Sequence, residues 1–300
     1  MAPKGTAVTV EGRALTLTNL DKVLYPEVGF TKAQVIDYYA RIAPAMLPHL
    51  AGRALTFHRF PNGVDQKGFF EKNCPGHRPD WMPVSVGPGS PPPMSCRIEE
   101  PAALVWAGNQ AAIEIHGPMA RADDLTNPRM VVFDLDPGPP ATVRECAAVA
   151  MAVREVLDAV GLQGWCKTSG SKGLQLYVPV NGPLEHEHAS SFALAVGQVL
   201  EKRMPAQVLT VMTKERRAGK VFIDWSQNSF HKTTVAVYSL RARPHPTVST
   251  PVSWPEVERA AAGEMELRFE AADVLARVEA LGDLFGPTLA VRQALPAAQR

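Results

Sequence analysis

The sequence lacks any long apolar run. Its hydrophobic stretches fall well short of the ~20 residues that span a bilayer, and Met1 to Val10 do not form the apolar segment of a secretory signal peptide. We therefore expect a soluble, cytoplasmic protein with no membrane partner. Hydrophobic residues still make up 46% of the 300 residues, which is enough for one large domain or two closely packed subdomains.

Cysteine is scarce, and no two cysteines form a Cys-x-x-Cys pair. The four are Cys74, Cys96, Cys146 and Cys166. Zinc ribbons and thioredoxin-like sites need such pairs, so neither is indicated. We expect four free thiols in a reducing compartment.

An excess of charge of either sign is also missing, because the formal net charge is +1. This value neither requires nor excludes nucleic acid, since binding depends on local patches. Basic residues do cluster twice, either as binding surfaces or as ordinary solvated faces. One cluster contains Arg53, His58, Arg59, Lys67 and Lys72, and the other Lys202, Arg203, Lys214, Arg216, Arg217 and Lys220.

Two capping boxes predict helices. The segment T-K-A-Q from Thr31 predicts a helix to about Ala45, and T-V-R-E from Thr142 predicts one through about Val160. Further helices are expected over Ala189–Arg203 and within residues 256–282. Apolar segments predict strands over Ala54–Phe60, Ala111–His116, Met130–Asp136, Leu174–Val180, Lys220–Trp225 and Thr233–Ser239.

This order of elements indicates an α/β or α+β fold. Interleaved helices and strands with several strand–turn–strand links favour a mixed or mostly antiparallel sheet. A break near residue 120 predicts an N-terminal subdomain, about residues 1–120, and a second subdomain, about residues 121–300, that ends in a helical tail.

The sharpest motif is V-V-F-D-L-D-P, in which Asp134 and Asp136 end an apolar run. On a strand, residues two apart face the same side, so the two carboxylates converge. They repel each other unless a cation lies between them. The alternative is a pair of strand-end acids that make salt bridges or turn bonds.

A third acid, Asp224, ends the strand-like run V-F-I-D-W. A buried acid on a strand is costly unless it is paired or metal-bound. Three strand carboxylates suit two Mg²⁺ or Mn²⁺ ions, which can drive the in-line transfer of a phosphoryl group.

A polar loop, T-S-G-S-K-G from Thr168, precedes the strand predicted at Leu174. Its glycines, hydroxyls and Lys172 suit a triphosphate, although the loop is not a Walker A motif. A polar hairpin turn remains the alternative. Lys232 and Arg241 follow Asp224 and would bring positive charge to phosphates, or would be surface charges.

Together these motifs resemble one family, the polymerase domain of bacterial end-joining DNA ligases of the ligase D type. This family lies within the archaeo-eukaryotic primase superfamily. The matching segments span most of the chain and are Leu17–Asn19, Asp21–Pro26, Pro61–Gln66, Phe69–Lys72, Val132–Pro137, Ser169–Leu174, Ala218–Phe222, Asp224–Asn228 and Tyr238–Arg241.

The resemblance implies a primase-like fold and a polymerase that fills short gaps or extends broken ends. Such enzymes use Mn²⁺ readily and tend to favour ribonucleotides. Asp134, Asp136 and Asp224 match the metal-binding acids. The implied nucleotide contacts are His116, Ser169, Ser171, Lys172, Gly173, Gln175, Lys232 and Arg241.

The resemblance also implies partners. Gapped or broken duplex DNA, as template and primer, would contact Asn19, Lys32, His58, Arg59, Phe69, Phe70 and Lys72, with the two aromatic rings stacking on bases. The substrates would be NTP or dNTP. An ATP-dependent DNA ligase or an end-binding protein is a candidate partner, and we expect a monomer.

Two residues depart from the family pattern. Gln175 stands where the family usually has His; Gln can donate to a phosphate but carries no charge. His58 stands where the end-joining enzymes use Lys to grip a 5′-phosphate, and a histidine is mostly neutral at neutral pH. Arg59 is a candidate to compensate.

Two other functions remain open. The run h-h-h-D-x-D also opens phosphatases of the haloacid-dehalogenase type, but Gly138 stands where that motif has Thr or Val. A non-catalytic DNA-binding module that recruits a ligase would keep the basic clusters without needing three intact acids.

Overall fold

A computed structural model of the chain describes residues 5–296. The chain forms two units. The first contains the residues up to Gly117 and the later segments Val235–Ser249 and Phe269–Asp283. The second contains Pro118–Thr234, Thr250–Arg268 and the residues from Leu284 onward. The predicted break near residue 120 lies where the chain first leaves the first unit, but two later segments return to it.

Groups of strands are separated by helices along the described chain, which ends in three helices. The strands are β1 (Thr6–Val10), β2 (Arg13–Leu17), β3 (Val23–Tyr25), β4 (Phe30–Thr31), β5 (Thr56–Arg59), β6 (Phe69–Glu71), β7 (Val84–Val86), β8 (Met94–Cys96), β9 (Ala112–Gly117), β10 (Ala120–Arg121), β11 (Asp124–Pro128), β12 (Met130–Pro137), β13 (Trp165–Thr168), β14 (Leu174–Pro179), β15 (Val208–Leu209), β16 (Val221–Asp224), β17 (Thr234–Val235) and β18 (Pro251–Val252). The helices are α1 (Lys32–Leu50), α2 (Pro101–Asn109), α3 (Val143–Ala159), α4 (His186–Arg203), α5 (Trp254–Ala262), α6 (Ala271–Leu281) and α7 (Pro287–Ala290).

The first unit contains an antiparallel sheet in which β9 and β6 flank β5. The edge strand β17 lies beside β9, at the point where the chain re-enters this unit. Helices α1 and α2 pack against each other, and α2 also contacts β9. Helix α6 packs on α1 and belongs to this unit too, as do the two-stranded hairpins β1–β2, β3–β4 and β7–β8.

The second unit is built on a six-stranded sheet in the order β15-β16-β12-β14-β13-β18. Only β15 and β16 pair in parallel; the other neighbours are antiparallel. Helices α3 and α4 pack on this sheet, and α5 packs on α3. Strand β12 lies inside the sheet, so Asp134 sits between β14 and β16, whereas Asp136 pairs with β16 alone. This mixture of helices and mainly antiparallel strands confirms the predicted fold class.

The predicted capping boxes are both present. Gln34 Oε1 accepts from the Thr31 backbone N–H at 2.8 Å, and Glu145 Oε2 accepts from the Thr142 N–H at 2.6 Å. Helix α1 runs five residues beyond its predicted end at Ala45, because the buried Met46 and Leu50 continue its apolar face.

The predicted strand Thr233–Ser239 is wrong beyond Val235, since only Thr234–Val235 is a strand. Tyr238 has a φ of 65°, a left-handed backbone conformation that interrupts an extended chain. Its hydroxyl donates to Asp283 Oδ1 at 2.6 Å, which holds the buried ring in this position.

The prediction of four free thiols is wrong for Cys74 and Cys96, which form a disulfide. Hairpin β7–β8 brings Cys96 beside the segment that follows β6, where the Cys74 backbone N–H donates to the Met94 carbonyl. The Cα atoms are 4.7 Å apart, which is within the range of a disulfide. Cys146 and Cys166 are free, as predicted, and both are buried.

Within residues 5–296, no helix is long and apolar enough to cross a membrane.

Candidate active site

The three predicted acids lie on two neighbouring strands of the second unit. Asp134 and Asp136 are on β12, and Asp224 is the last residue of β16. Asp134 is directly opposite Asp224 in the antiparallel register. Residues opposite each other in a ladder face the same side, as do residues two apart on one strand. All three carboxylates therefore project from one face of the sheet.

A buried cation supports Asp134 through an amide. The register aligns Asp134 with Gln175 on β14, and Gln175 with Lys167 on β13. Gln175 Nε2 donates to Asp134 Oδ1 at 3.1 Å, while Lys167 Nζ donates to Gln175 Oε1 at 2.5 Å. Lys167 is almost completely buried. Gln175 therefore contacts the first acid, and its amide orientation is fixed by a lysine that the sequence did not indicate.

Asp224 is held by the turn that follows β16. Its Oδ1 accepts from the Ser226 backbone N–H at 3.1 Å and from the Ser226 hydroxyl at 2.6 Å. Gln227 Nε2 donates to its other oxygen at 2.9 Å. Oδ1 accepts two of these bonds and Oδ2 one, so the carboxylate is positioned and a lone pair on Oδ2 stays available to a cation.

Burial and mutual repulsion act on this set of acids. Burial raises the pKa of Asp134, and the charges of Asp136 and Asp224 raise it further, while the bond from Gln175 opposes the shift. Burial and Asp224 likewise raise the pKa of Asp136, against the cations Arg217 and Lys172. A divalent cation would remove this repulsion, and a set of carboxylate oxygens suits Mg²⁺ or Mn²⁺.

The predicted phosphate loop is closed by one of its own hydroxyls. Ser169 Oγ accepts from the backbone N–H groups of Ser171 and Gly173, at 3.3 and 3.1 Å. These two amides are therefore directed at Ser169, whereas the sequence had suggested that the loop's amides face an anion. Gly170 adopts a φ of 67°, which glycine tolerates at no steric cost.

Lys172 and Gly173 tie this loop to the acids. Lys172 is close enough to Asp136 to lower its pKa. A side chain at Gly173 would meet the Leu135 carbonyl oxygen at 2.1 Å, so the loop lies directly against the backbone between the two acids of β12. Lys232 is exposed beyond Asp224, and its contact with a nucleotide stays a prediction.

The first unit contains a second cluster, which is centred on Glu114. Glu114 Oε2 lies 3.2 Å from His58 Nδ1 and 2.9 Å from His116 Nε2. Its other oxygen, Oε1, accepts from Arg241 Nε at 2.9 Å and from the Ala242 backbone N–H at 3.0 Å. Among residues 5–296, His58, Glu114 and His116 are the one set of three His, Cys, Asp or Glu side chains with ligand atoms all within 4.8 Å of one another.

Electrostatics keep Glu114 ionised. Burial raises its pKa, but the bonds from His116 and His58 and the charge of Arg241 outweigh burial, so the pKa lies below the ordinary range. Burial lowers the pKa of His116, although Glu114 opposes this shift. The predicted nucleotide contacts His116 and Arg241 are thus joined through a carboxylate whose role the sequence did not reveal.

The two aromatic residues predicted to contact DNA are both exposed. Phe69 and Phe70 are 46% and 56% exposed, so both rings are available to a base. The Phe70 ring stacks on His58 with centroids 4.0 Å apart. Arg59 Nη1 lies 3.0 Å from both carboxylate oxygens of Glu71, so its charge is already paired where the sequence suggested a free phosphate ligand.

The remaining predicted DNA contacts also lie in the first unit. Lys32 is the first residue of α1, and its ammonium group donates to the Thr18 carbonyl at 2.7 Å. Asn19 has a φ of 53°, and its carbonyl accepts from the Lys22 N–H. Lys72 is exposed just after β6. Their contacts with DNA stay predictions.

Comparison with known proteins gives a consistent result. Residues 31–285 match the LigD primase-polymerase domain family. The chain is 46% identical over 279 residues to the multifunctional non-homologous end joining DNA repair protein LigD of Mycobacterium tuberculosis, covering 90% of this chain and 36% of that protein. It is 31% identical over 245 residues to the bifunctional non-homologous end joining protein LigD of Bacillus subtilis, covering 81% of this chain and 39% of that protein.

A solved structure is similar over nearly the whole chain. It is the polymerase domain of Mycobacterium tuberculosis ligase D in complex with DNA, with a TM-score of 0.85 and 44% identity. The match covers 92% of this chain and 98% of the solved one. By contrast, the chain spans little more than a third of the length of the curated relatives.

Proposed function

This chain belongs to the LigD primase-polymerase domain family, a family of DNA-directed nucleotidyltransferases, and from that premise we propose that it extends primers on DNA templates by a two-metal mechanism. The reaction fills short gaps or extends broken ends, and ribonucleotides are accepted as well as deoxyribonucleotides. The relatives are named as end-joining proteins, which supports a role in end-joining DNA repair.

The observation that carries this proposal is the shared face of Asp134, Asp136 and Asp224. The register sets Asp134 opposite Asp224, and burial together with the repulsion among the acids raises the pKa of Asp134 and of Asp136. Mn²⁺ or Mg²⁺ ions held there would supply the charge that favours ionisation of a primer 3′-hydroxyl and stabilises the leaving oxygen. Three neighbouring carboxylates repel one another in the absence of cations, and this repulsion favours the binding of metal ions.

The chain's own cations and amides position the substrate. Lys172, beside Asp136, holds the triphosphate charge, and Gln175 keeps Asp134 oriented through its link to Lys167. Lys232 is a further contact to the triphosphate.

DNA contacts are proposed for the first unit. A related polymerase domain is known in complex with DNA, and this unit exposes Phe69 and Phe70 as stacking rings beside the cation Lys72. Lys32 and Asn19 are proposed to contact the DNA backbone. An ATP-dependent ligase or an end-binding protein is a candidate partner, because the relatives are named for end joining.

Primer extension on gapped duplex DNA tests the catalytic assignment. With Mn²⁺ and either NTP or dNTP, we expect the wild-type protein to extend the primer. Asp134→Asn and Asp224→Asn should each lose at least about 100-fold in rate, because each removes a ligand charge at the reacting phosphate. Asp158→Asn is the matched control, since Asp158 is an exposed acid of α3 in the same unit.

Two outcomes would contradict the assignment. One is extension by the Asp134 and Asp224 variants at the rate of the Asp158 control. The other is normal binding of gapped DNA with no incorporation under any divalent metal, which is the behaviour of a non-catalytic module.

A further inference from the structure

The cluster of His58, Glu114 and His116 is built on two paired strands. His58 on β5 is the register partner of Glu114 on β9, and His116 follows Glu114 by two residues, on the same face of β9. One nitrogen from each ring approaches the same carboxylate oxygen, Glu114 Oε2, at 3.2 and 2.9 Å. Two imidazoles and a carboxylate therefore converge on one point.

These separations are close to those of a metal's ligands. Around a tetrahedral ion with bonds of 2.0–2.1 Å, neighbouring ligand atoms lie about 3.3 Å apart. Small movements of the three groups would open the cluster for an ion, provided that each ring turns so that a lone pair rather than an N–H faces a common centre. The ring protons would move to the other ring nitrogens or to water.

Groups around the cluster hold the ligands in place. Arg241 and the Ala242 N–H fix Glu114 Oε1, which leaves Oε2 directed at the two rings. Such contacts behind the ligands orient metal-binding side chains in proteins. Phe70 stacks on His58 and meets the His116 ring edge-on, with centroids 5.7 Å apart.

The cluster is enclosed but reachable. The Glu114 and His116 side chains are 6% and 11% exposed, whereas that of His58 is 20% exposed. An ion would enter from the His58 side. Three protein ligands would leave an open coordination position there for a water or a phosphate oxygen.

We propose that His58, Glu114 and His116 form a binding site for one divalent transition-metal ion, with Zn²⁺ as the preferred ion. Two imidazole nitrogens and one oxygen suit Zn²⁺, whereas Mg²⁺ prefers oxygen ligands alone. The site differs in its residues and its donor atoms from the three aspartates of the second unit. It does not depend on the proposed polymerase function.

Direct metal binding tests this site. Metal-free protein would be titrated with Co²⁺ and followed by visible absorption, and Zn²⁺ would then be added as the competitor. After dialysis against dilute Zn²⁺, bound metal would be counted by mass spectrometry. We expect one tightly held Zn²⁺ per chain, and an intense Co²⁺ spectrum of low-coordinate type that Zn²⁺ abolishes.

Matched variants separate the cluster from other ligands. His58→Ala and Glu114→Gln should each weaken Zn²⁺ binding by at least about 10-fold, because loss of even a group that only orients a metal ligand costs about 10- to 100-fold in affinity. His77→Ala, which removes an exposed histidine of the same unit, should bind like the wild type. Circular dichroism would verify that each variant folds. His58 is the most exposed of the three ligands, so the His58→Ala variant still tests the site if Glu114→Gln does not fold.

The triple variant Asp134→Asn, Asp136→Asn and Asp224→Asn distinguishes the two metal proposals. It should lose primer extension while it retains the tightly bound Zn²⁺. Absence of a tight Zn²⁺ site in the wild type would overturn the proposal, as would equal Zn²⁺ affinity in the His58, Glu114 and His77 variants. Neither of these results bears on the aspartates.

Discussion

At the scale of one residue, Lys32 shows how burial makes it harder for a lysine to keep its positive charge. Burial, followed by the nearby charges of Lys22 and Arg59, lowers the pKa of Lys32 to about 8. Because the folded-state pKa lies below the unfolded one, the charged form costs folding stability at neutral pH, and this cost is lost as pH rises from about 8 toward the unfolded pKa of about 10.4. The lysine therefore loses its charge at a pH where an exposed lysine keeps it.

From this shift we predict a pH-dependent affinity for DNA. If Lys32 contacts a DNA phosphate, the wild-type affinity for gapped duplex should fall by up to ~10-fold per pH unit above the lysine's pKa. Lys32→Arg should bind with little change over the same range, because arginine stays charged. Fluorescence anisotropy at constant ionic strength measures both. Parallel curves for the two proteins would remove Lys32 from the DNA-contacting surface.

The acids were predictable from the sequence, but their neighbours were not. Asp134 and Asp136 follow an apolar run at a spacing of two, so their shared face follows from strand geometry alone. Lys167 and Glu114 take their roles from strand register, which aligns Lys167 with Gln175 and Glu114 with His58. A single sequence does not show which strands pair, so these contacts had no local signal.

At the scale of elements, β12 and the start of β14 approach so closely that only glycine fits between them. The Gly173 Cα lies against the Leu135 carbonyl, and an added Cβ would be 2.1 Å from that oxygen. We predict that Gly173→Ala destabilises the protein by about 1–3 kcal/mol, the usual cost of overpacking. It should also raise the KM for the nucleotide, because the loop that carries Lys172 must shift.

Chemical denaturation and steady-state primer extension would check both effects. Gly76→Ala is the matched control, because a Cβ there meets nothing within 4 Å. The two alanine variants should differ in stability and in KM, whereas equal behaviour would mean that the loop adapts without moving the nucleotide contacts.

The prediction of helices succeeded where the sequence carries a local capping motif. The capping boxes at Thr31 and Thr142 start α1 and α3 as expected. Helix α2 was not predicted, because its residues from Ala102 to Gly108 are all buried and leave no polar face to reveal a helical period. The Cys74–Cys96 disulfide was missed for another reason: a tertiary contact between a loop and a hairpin creates it.

At the scale of the whole molecule, the division of the chain is only partly sequential. The sequence suggested one break near residue 120, whereas residues 235–249 and 269–283 rejoin the first unit. Arg241 therefore lies in the unit of Glu114, although it follows Asp224 in the chain. Composition did not reveal this return, because neither segment differs in character from its neighbours. The assignment of DNA contact to one unit and catalysis to the other stays a prediction.

The three acids should also lower the thermal stability of the whole protein when no cations are bound. Burial and repulsion raise the pKa of Asp134 and Asp136 in the folded state. A carboxyl with a raised pKa destabilises the folded state above the unfolded pKa of about 3.9, so this cost is absent in acid and grows as pH rises toward neutral. In metal-free protein at neutral pH, we therefore predict that Asp134→Asn melts a few degrees higher than the wild type (~1 kcal/mol or more of relief).

Calorimetry in the presence of a chelator, and then with Mn²⁺, would measure this effect. Mn²⁺ should raise the melting temperature of the wild type, because it binds the folded state alone, and should raise that of Asp134→Asn much less. Asp158→Asn is the control that keeps both the three aspartates and the His58–Glu114–His116 cluster intact, so it should retain the Mn²⁺ shift. If Asp134→Asn melted below the wild type without metal, and Mn²⁺ stabilised both equally, the acids would be structural partners of their neighbours rather than a site held open for cations.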